Sequence, residues 1–321
     1  MAAFALPLIR RVPITRVLTG AACLSVPAAA SSHVLSASER SAPPLGWTFE
    51  PWVVALLSIS LLLYLVGYLR LRQRSHVARR LRSWQLVAFL GGWTALLIAL
   101  DSPLDALGAA LFSAHMVQHE VMMLIAAPLL VVGRPLAVWL WALPQSMRHA
   151  AGQATRTRPV RMIWRTLTQP LVAWWLHAAA LWGWHTPMLF EAALAHSAIH
   201  TLQHASFMLS ALLFWWTIFG QPARDDRNGH AMLSLFTTMA HTGALGALLT
   251  LAPGLWYPSY VEPTSALGFD PLQDQQLGGL VMWVPGGLAY LVGGLIVGAR
   301  WLMRRRAPSF GDRASIMRRD H

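Results

Sequence analysis

The chain alternates between long apolar runs and short polar stretches, and that alternation predicts its elements. Seven runs approach the length needed to cross a hydrocarbon core of about 30 Å, which takes about 20 helical residues. They lie at Trp52–Leu69, Trp84–Leu100, Leu111–Gly133, Pro170–Trp184, Ala195–Gly220, Ala231–Ala252 and Leu277–Ala299. The fourth is the shortest, and it runs into Trp182-Gly183-Trp184-His185-Thr186-Pro187. The expected fold is all-α: a polytopic membrane helical bundle of seven transmembrane helices.

The flanks divide the rest of the chain. Arg10, Arg11 and Arg16 precede an apolar stretch, Val17 to Val26, and a small-residue site, Ala28-Ala29-Ala30. That order reads as a secretory signal over residues 1–30, with retention as an uncleaved helix as the alternative. A short periplasmic segment, 31–51, follows, then the seven-helix domain, 52–301, and a basic cytoplasmic tail, 302–321. The stretch Pro135–Pro144, with Trp139 and Trp141, is expected in the membrane interface. Cys23 is the single cysteine. Cleavage after Ala30 would therefore leave neither a disulfide nor a thiolate ligand.

Composition supports this reading. The chain is 55% apolar and 12% charged, where a soluble domain carries roughly 25% charged residues. A net charge of +12 raises nucleic acid as a partner. However, the basic residues, all Arg, fall in blocks between the apolar runs, which is a mark of topology. Arginines cluster in 70–82, 134–165, around Arg224 and from Arg300 onward. The loops Ser102–Ala110, Thr186–Leu194 and Pro253–Gln276 hold none. The positive-inside rule then places the mature N-terminus outside and the C-terminus in the cytoplasm of a bacterial inner membrane.

The candidate chemistry is histidine. His115, His119, His177, His185, His196, His200, His204 and His241 lie in or beside the third to sixth runs. Ionisable groups at membrane depth are costly and normally face a partner or a cavity. At helical spacing His115, Gln118, His119 and Met122 share one stripe, and His196, His200, Gln203 and His204 share another. His115-Met116-Val117-Gln118-His119 followed by Met123 matches His200-Thr201-Leu202-Gln203-His204 followed by Met208. Imidazole and thioether without thiolate favour copper, with zinc able to bind through imidazole alone. A single methionine in such a place is more often packing than ligand. A single buried histidine is more often an interhelical hydrogen-bonding group. Glu120 reads either as a partner orienting an imidazole or as a protonated interhelical donor. Axial haem ligation and a proton relay using Asp101, Asp105 and Glu120 compete for the same residues. Trp283-Val284-Pro285-Gly286-Gly287 would kink the seventh helix or let it pack closely.

Four blocks resemble the CtaG family of cytochrome c oxidase assembly factors, the multi-span type associated with caa-type oxidases. They are Ser102-Pro103-Leu104-Asp105 leading to the first histidine stripe; Trp184-His185-Thr186-Pro187; His196 through His204; and Asp274-Gln275-Gln276-Leu277-Gly278-Gly279 running to Trp283-Val284-Pro285-Gly286. The resemblance implies a role without catalytic turnover in maturing a haem-copper oxidase, with oxidase subunits as partners and copper as the metal delivered. Residue chemistry nominates His115, His119, His200 and His204 as ligands, with His185 or His196 contributing, and Gln118, Gln203, Glu120, Met123 and Met208 around them. A membrane copper or proton transporter and a haem-binding electron carrier are the alternative functions.

Overall fold

The computed structural model describes residues 46–74, 79–221 and 225–305, and these lie within one compact unit. The expected signal segment and the basic tail lie outside the described residues, as does Cys23. Among the described residues there is no strand.

The helices are α1 Pro51–Arg74, α2 Arg79–Asp101, α3 Pro103–Gly108, α4 Phe112–Gly133, α5 Pro135–Ala142, α6 Gln145–Ala154, α7 Arg158–Leu167, α8 Pro170–Trp184, α9 Pro187–Ala195, α10 Ser197–Gly220, α11 Asp225–Thr250, α12 Val261–Ala266 and α13 Pro271–Arg305. Prolines mark many of the starts. Pro51, Pro103, Pro135, Pro159, Pro170, Pro187 and Pro271 all fall in first turns, where a missing N–H leaves no bond unmade and the fixed φ already suits a helix. Among the described residues six helices (α1, α2, α4, α10, α11 and α13) are long and apolar enough to cross a membrane. The fourth expected span forms the 15-residue α8, which rises only about 22 Å.

The bundle has two distinct ends. At one, Arg70 of α1 donates to the carbonyls of Trp141, Ala142 and Leu143. At the other lie α3, α9, α12 and the candidate histidines. The segment Pro135–Pro144, expected in the membrane interface, packs against the arginine end of α1. Arg134, at φ 51°, ends α4 in a left-handed turn. Then α5 runs along α1, with Trp139 Nε1 donating to the Ser60 carbonyl at 2.9 Å. The strongly amphipathic helix is instead α7, where Val160, Ile163 and Trp164 are exposed opposite Arg158, Arg161 and Arg165.

Close packing depends on glycine. A Cβ on Gly246 of α11 would sit 2.7 Å from the Gly279 carbonyl of α13, and one on Gly279 would sit 2.6 Å from the Thr250 amide. Likewise Gly133 leaves room for Phe89 on α2. Phe89 stacks on Tyr64 of α1 with centroids 3.7 Å apart, and the Tyr64 hydroxyl donates to the Gly133 carbonyl at 2.8 Å. Apolar side chains gain little by leaving lipid, so small residues and interhelical hydrogen bonds carry the association. Pro285 lies inside α13 without ending it. Gly286 beside it leaves space for the Glu120 carboxylate, whose Oε2 would be 3.0 Å from a Cβ there.

Candidate metal centre

Two helices carry the site, and the first is pinned at its histidine end. The first turn of α4 has unpaired amides, and Asp274 at the start of α13 accepts from them: Phe112 N at 2.6 Å, Ser113 N, and the Ser113 hydroxyl. A carboxylate at a helix N-terminus satisfies those donors and complements the helix dipole. For α10, His196 is the N-cap residue and is itself exposed.

With the two helices so placed, the stripes face each other. Ring centroids of His115 and His119 are 4.3 Å apart along α4, and those of His200 and His204 are 4.1 Å apart along α10. Across the interface His115 lies 5.5 Å from His200 and 6.0 Å from His204, and His119 lies 5.2 Å from His204. One ring nitrogen from each of His115, His200 and His204 falls within 4.8 Å of the other two. Both ring nitrogens of His119, and Nε2 of His115 and of His204, are buried without a hydrogen-bond partner. Buried polar atoms are nearly always paired, so these imidazoles keep coordinating capacity that the protein itself does not use.

The other nominated residues separate. His185, between α8 and α9, is 2% exposed. Its Nδ1 lies 2.7 Å from the Leu181 carbonyl and its Nε2 3.5 Å from Met116 Sδ, with its centroid 6.5 Å from that of His119. Burial pushes the His185 imidazole down to about 4, against the pull of the Leu181 carbonyl, so the ring is neutral near pH 7. His196 stays outside the nest. Gln118 turns away, donating to the Ala99 carbonyl and Asp105 Oδ1, both at 2.7 Å, whereas Gln203 is fully buried beside His115. Glu120 points to Gly286, away from the imidazoles. Met123 belongs to the apolar core with Phe207, Phe214 and Trp215, while Met208 lines a cleft with His204. The two matched sequence patterns thus diverge at their methionines. A π-helical turn, Val121–Ala126, follows Glu120 in α4, and its wider winding rotates later positions out of the stripe.

His177 and His241 fit the interhelical reading. His177 is fully buried, with Nδ1 3.2 Å from Ser210 Oγ and Nε2 3.3 Å from the Tyr290 hydroxyl. His241 Nδ1 accepts from Trp182 Nε1 at 3.3 Å.

An aromatic cap closes the nest from its own end of the bundle, a feature that sequence reasoning missed. Phe112, Phe190, Tyr257 and Tyr260 pack together, each at most 2% exposed. The Tyr257 hydroxyl donates to the His185 carbonyl and that of Tyr260 to the Gly108 carbonyl, both at 2.8 Å. Burial, with nearby Glu191 as the lesser cause for Tyr257, holds both phenols protonated. The loop carrying the tyrosines has four prolines and no periodicity, so it offered no pattern from which to place them.

A family model for the caa3-type cytochrome c oxidase assembly factor matches residues 62–304, which include the whole nest. The chain belongs to that family. It is also 27% identical over 285 residues to uncharacterized proteins of Mycobacterium bovis and Mycobacterium tuberculosis, covering 83% of this chain and 41% of each of them. An uncharacterized protein of Mycobacterium leprae is 26% identical over 274 residues, 79% of this chain and 39% of its own length. The chain therefore spans about two fifths of these relatives. No solved structure matches it. Family membership and the six long apolar helices among the described residues together fit a multi-pass membrane protein.

Proposed function

We propose that this assembly factor holds copper transiently in the nest of His115, His119, His200 and His204 and passes it to a haem-copper oxidase. The observation that carries the reading is the approach of three ring nitrogens to within 4.8 Å of one another. A metal bound by imidazoles at about 2.0 Å needs ligand nitrogens about 3.3 Å apart in a tetrahedral site, a contraction that small side-chain rotations supply. Neutral imidazoles are the ligand form, and without thiolates they suit copper. His185 and Met116 stand at the edge of the nest as a further nitrogen and a soft sulfur. The haem alternative fits less well. A macrocycle needs a flat slot between two rings, and here the other two rings fill it.

This reading includes the topology: seven crossings, N-terminus outside and C-terminus inside a bacterial plasma membrane. Its support is the position of α8. Gln169 and Pro170 share a cavity with Gly220, Gln221 and His230 at the arginine ends of α10 and α11, while His185 touches Met116 at the histidine end. So α8 links both ends despite its length. With the arginine-rich loops on the cytoplasmic side, the nest lies in the outer half of this proposed topology.

The test is oxidase maturation in a strain lacking this protein, complemented with His115→Ala and His204→Ala chains. Variants that accumulate in the membrane but leave the oxidase short of copper support the proposal. Full oxidase copper with both variants would refute it.

A further inference from the structure

The aromatic cap poses a problem for any metal that uses the nest. His115 and His119 are each 2% exposed beneath Phe112, Phe190, Tyr257 and Tyr260, and hydrogen bonds pin that cap. An ion crossing it would lose its hydration with aromatic rings in place of water, which is strongly unfavourable.

A cavity of about 220 Å³ offers another way in. It lies between α1, α2 and α10 and is lined by Glu50, Asp105, Met122, His200, His204 and Met208. Glu50 precedes α1 and Asp105 lies on α3, so both carboxylates line the histidine end of the cleft, Asp105 part-exposed and Glu50 buried just within it. His200 and His204 form part of the wall, and the buried Nε2 of His204 has no hydrogen-bond partner. From mouth to wall the donors change from carboxylate oxygen to imidazole nitrogen and thioether sulfur. Hard oxygens attract a hydrated cation, and softer nitrogen and sulfur take it as water is shed. Negative charge at the mouth of a low-dielectric cleft also raises the local cation concentration.

We propose that this cleft is the copper portal: the ion enters and leaves the nest sideways, between α1 and α10, received by Glu50 and Asp105 and passed to His200 and His204. Met122 and Met208 are transfer ligands deeper in the same wall. Copper changes ligands along this route without changing oxidation state. The inference rests on the nest being a copper site.

The test is the rate at which purified full-length protein in detergent takes Cu(I) from its coloured bicinchoninate complex. Asp105 also accepts from Gln118, so the informative variants are Glu50→Gln and Ala205→Phe. Ala205 lines the cleft and is exposed, so a phenyl ring there plugs it. Each variant should load about tenfold more slowly, with the same final copper per chain. Glu191→Gln, which removes a carboxylate from the cap, should load at the wild-type rate. Wild-type rates in both cleft variants, equal slowing in all three, or reduced final copper in the cleft variants would each overturn the portal. If the wild-type protein takes up no copper at all, the proposed function itself falls.

Discussion

At the residue scale the site is a contrast between satisfied and unsatisfied histidines. His177 has partners at both ring nitrogens and His241 at Nδ1 alone, while both nitrogens of His119 and Nε2 of His115 and His204 are buried with none. The sequence grouped all of these histidines and could not sort them, because burial and partners depend on how helices rotate against each other. Spacing did identify the four that converge, since i and i+4 positions share a face whatever the helix packs against. It could not separate Gln118 from Gln203, which hold equivalent places in the matched pattern but face different neighbours. Asp274 is the residue that fixes α4 from a distance. Asp274→Ala should lower stability by about 1 kcal/mol, the usual cost of losing a helix cap. The drop should appear as a lower unfolding temperature in detergent, with Asp274→Asn falling in between.

At the element scale, spans were legible from apolar length and starts from proline, but departures from regular helix were not. The π turn at Val121–Ala126 and the left-handed Arg134 leave no mark in the hydrophobic pattern, yet they decide where Met123 and α5 go. Glycine shows the same limit. The sequence marked Gly286 as a packing residue, and the structure adds that what it accommodates is Glu120. The α11–α13 crossing at Gly246 and Gly279 is the tightest test of packing. Gly279→Ala should destabilise by about 1–3 kcal/mol, because the added methyl meets backbone on α11. Gly294→Ala on the same helix meets nothing within 4 Å and should be neutral or slightly stabilising, since alanine is the better helix former. Thermal unfolding of the two variants side by side checks the contrast.

At the scale of the whole molecule, arginine placement and the packing of α8 both support the proposed seven-crossing topology. A 15-residue helix cannot be recognised as a full crossing by length; its role shows only in which ends of its neighbours it touches. With Cys23 replaced by serine, a single cysteine at Thr186 should react with a membrane-impermeant maleimide in intact cells. One at Arg156 should react only after the membrane is opened. The opposite pattern, or labelling of both sites from one side, would contradict seven crossings.

The central claim is that the facing histidine stripes bind copper. It is tested most directly by the copper retained per chain after purified full-length protein is loaded and freed of excess metal. About one copper per wild-type chain is expected, and background in the His115→Ala/His204→Ala double variant, with both proteins folded. Background copper in the wild-type protein, or equal copper in the two, would contradict it.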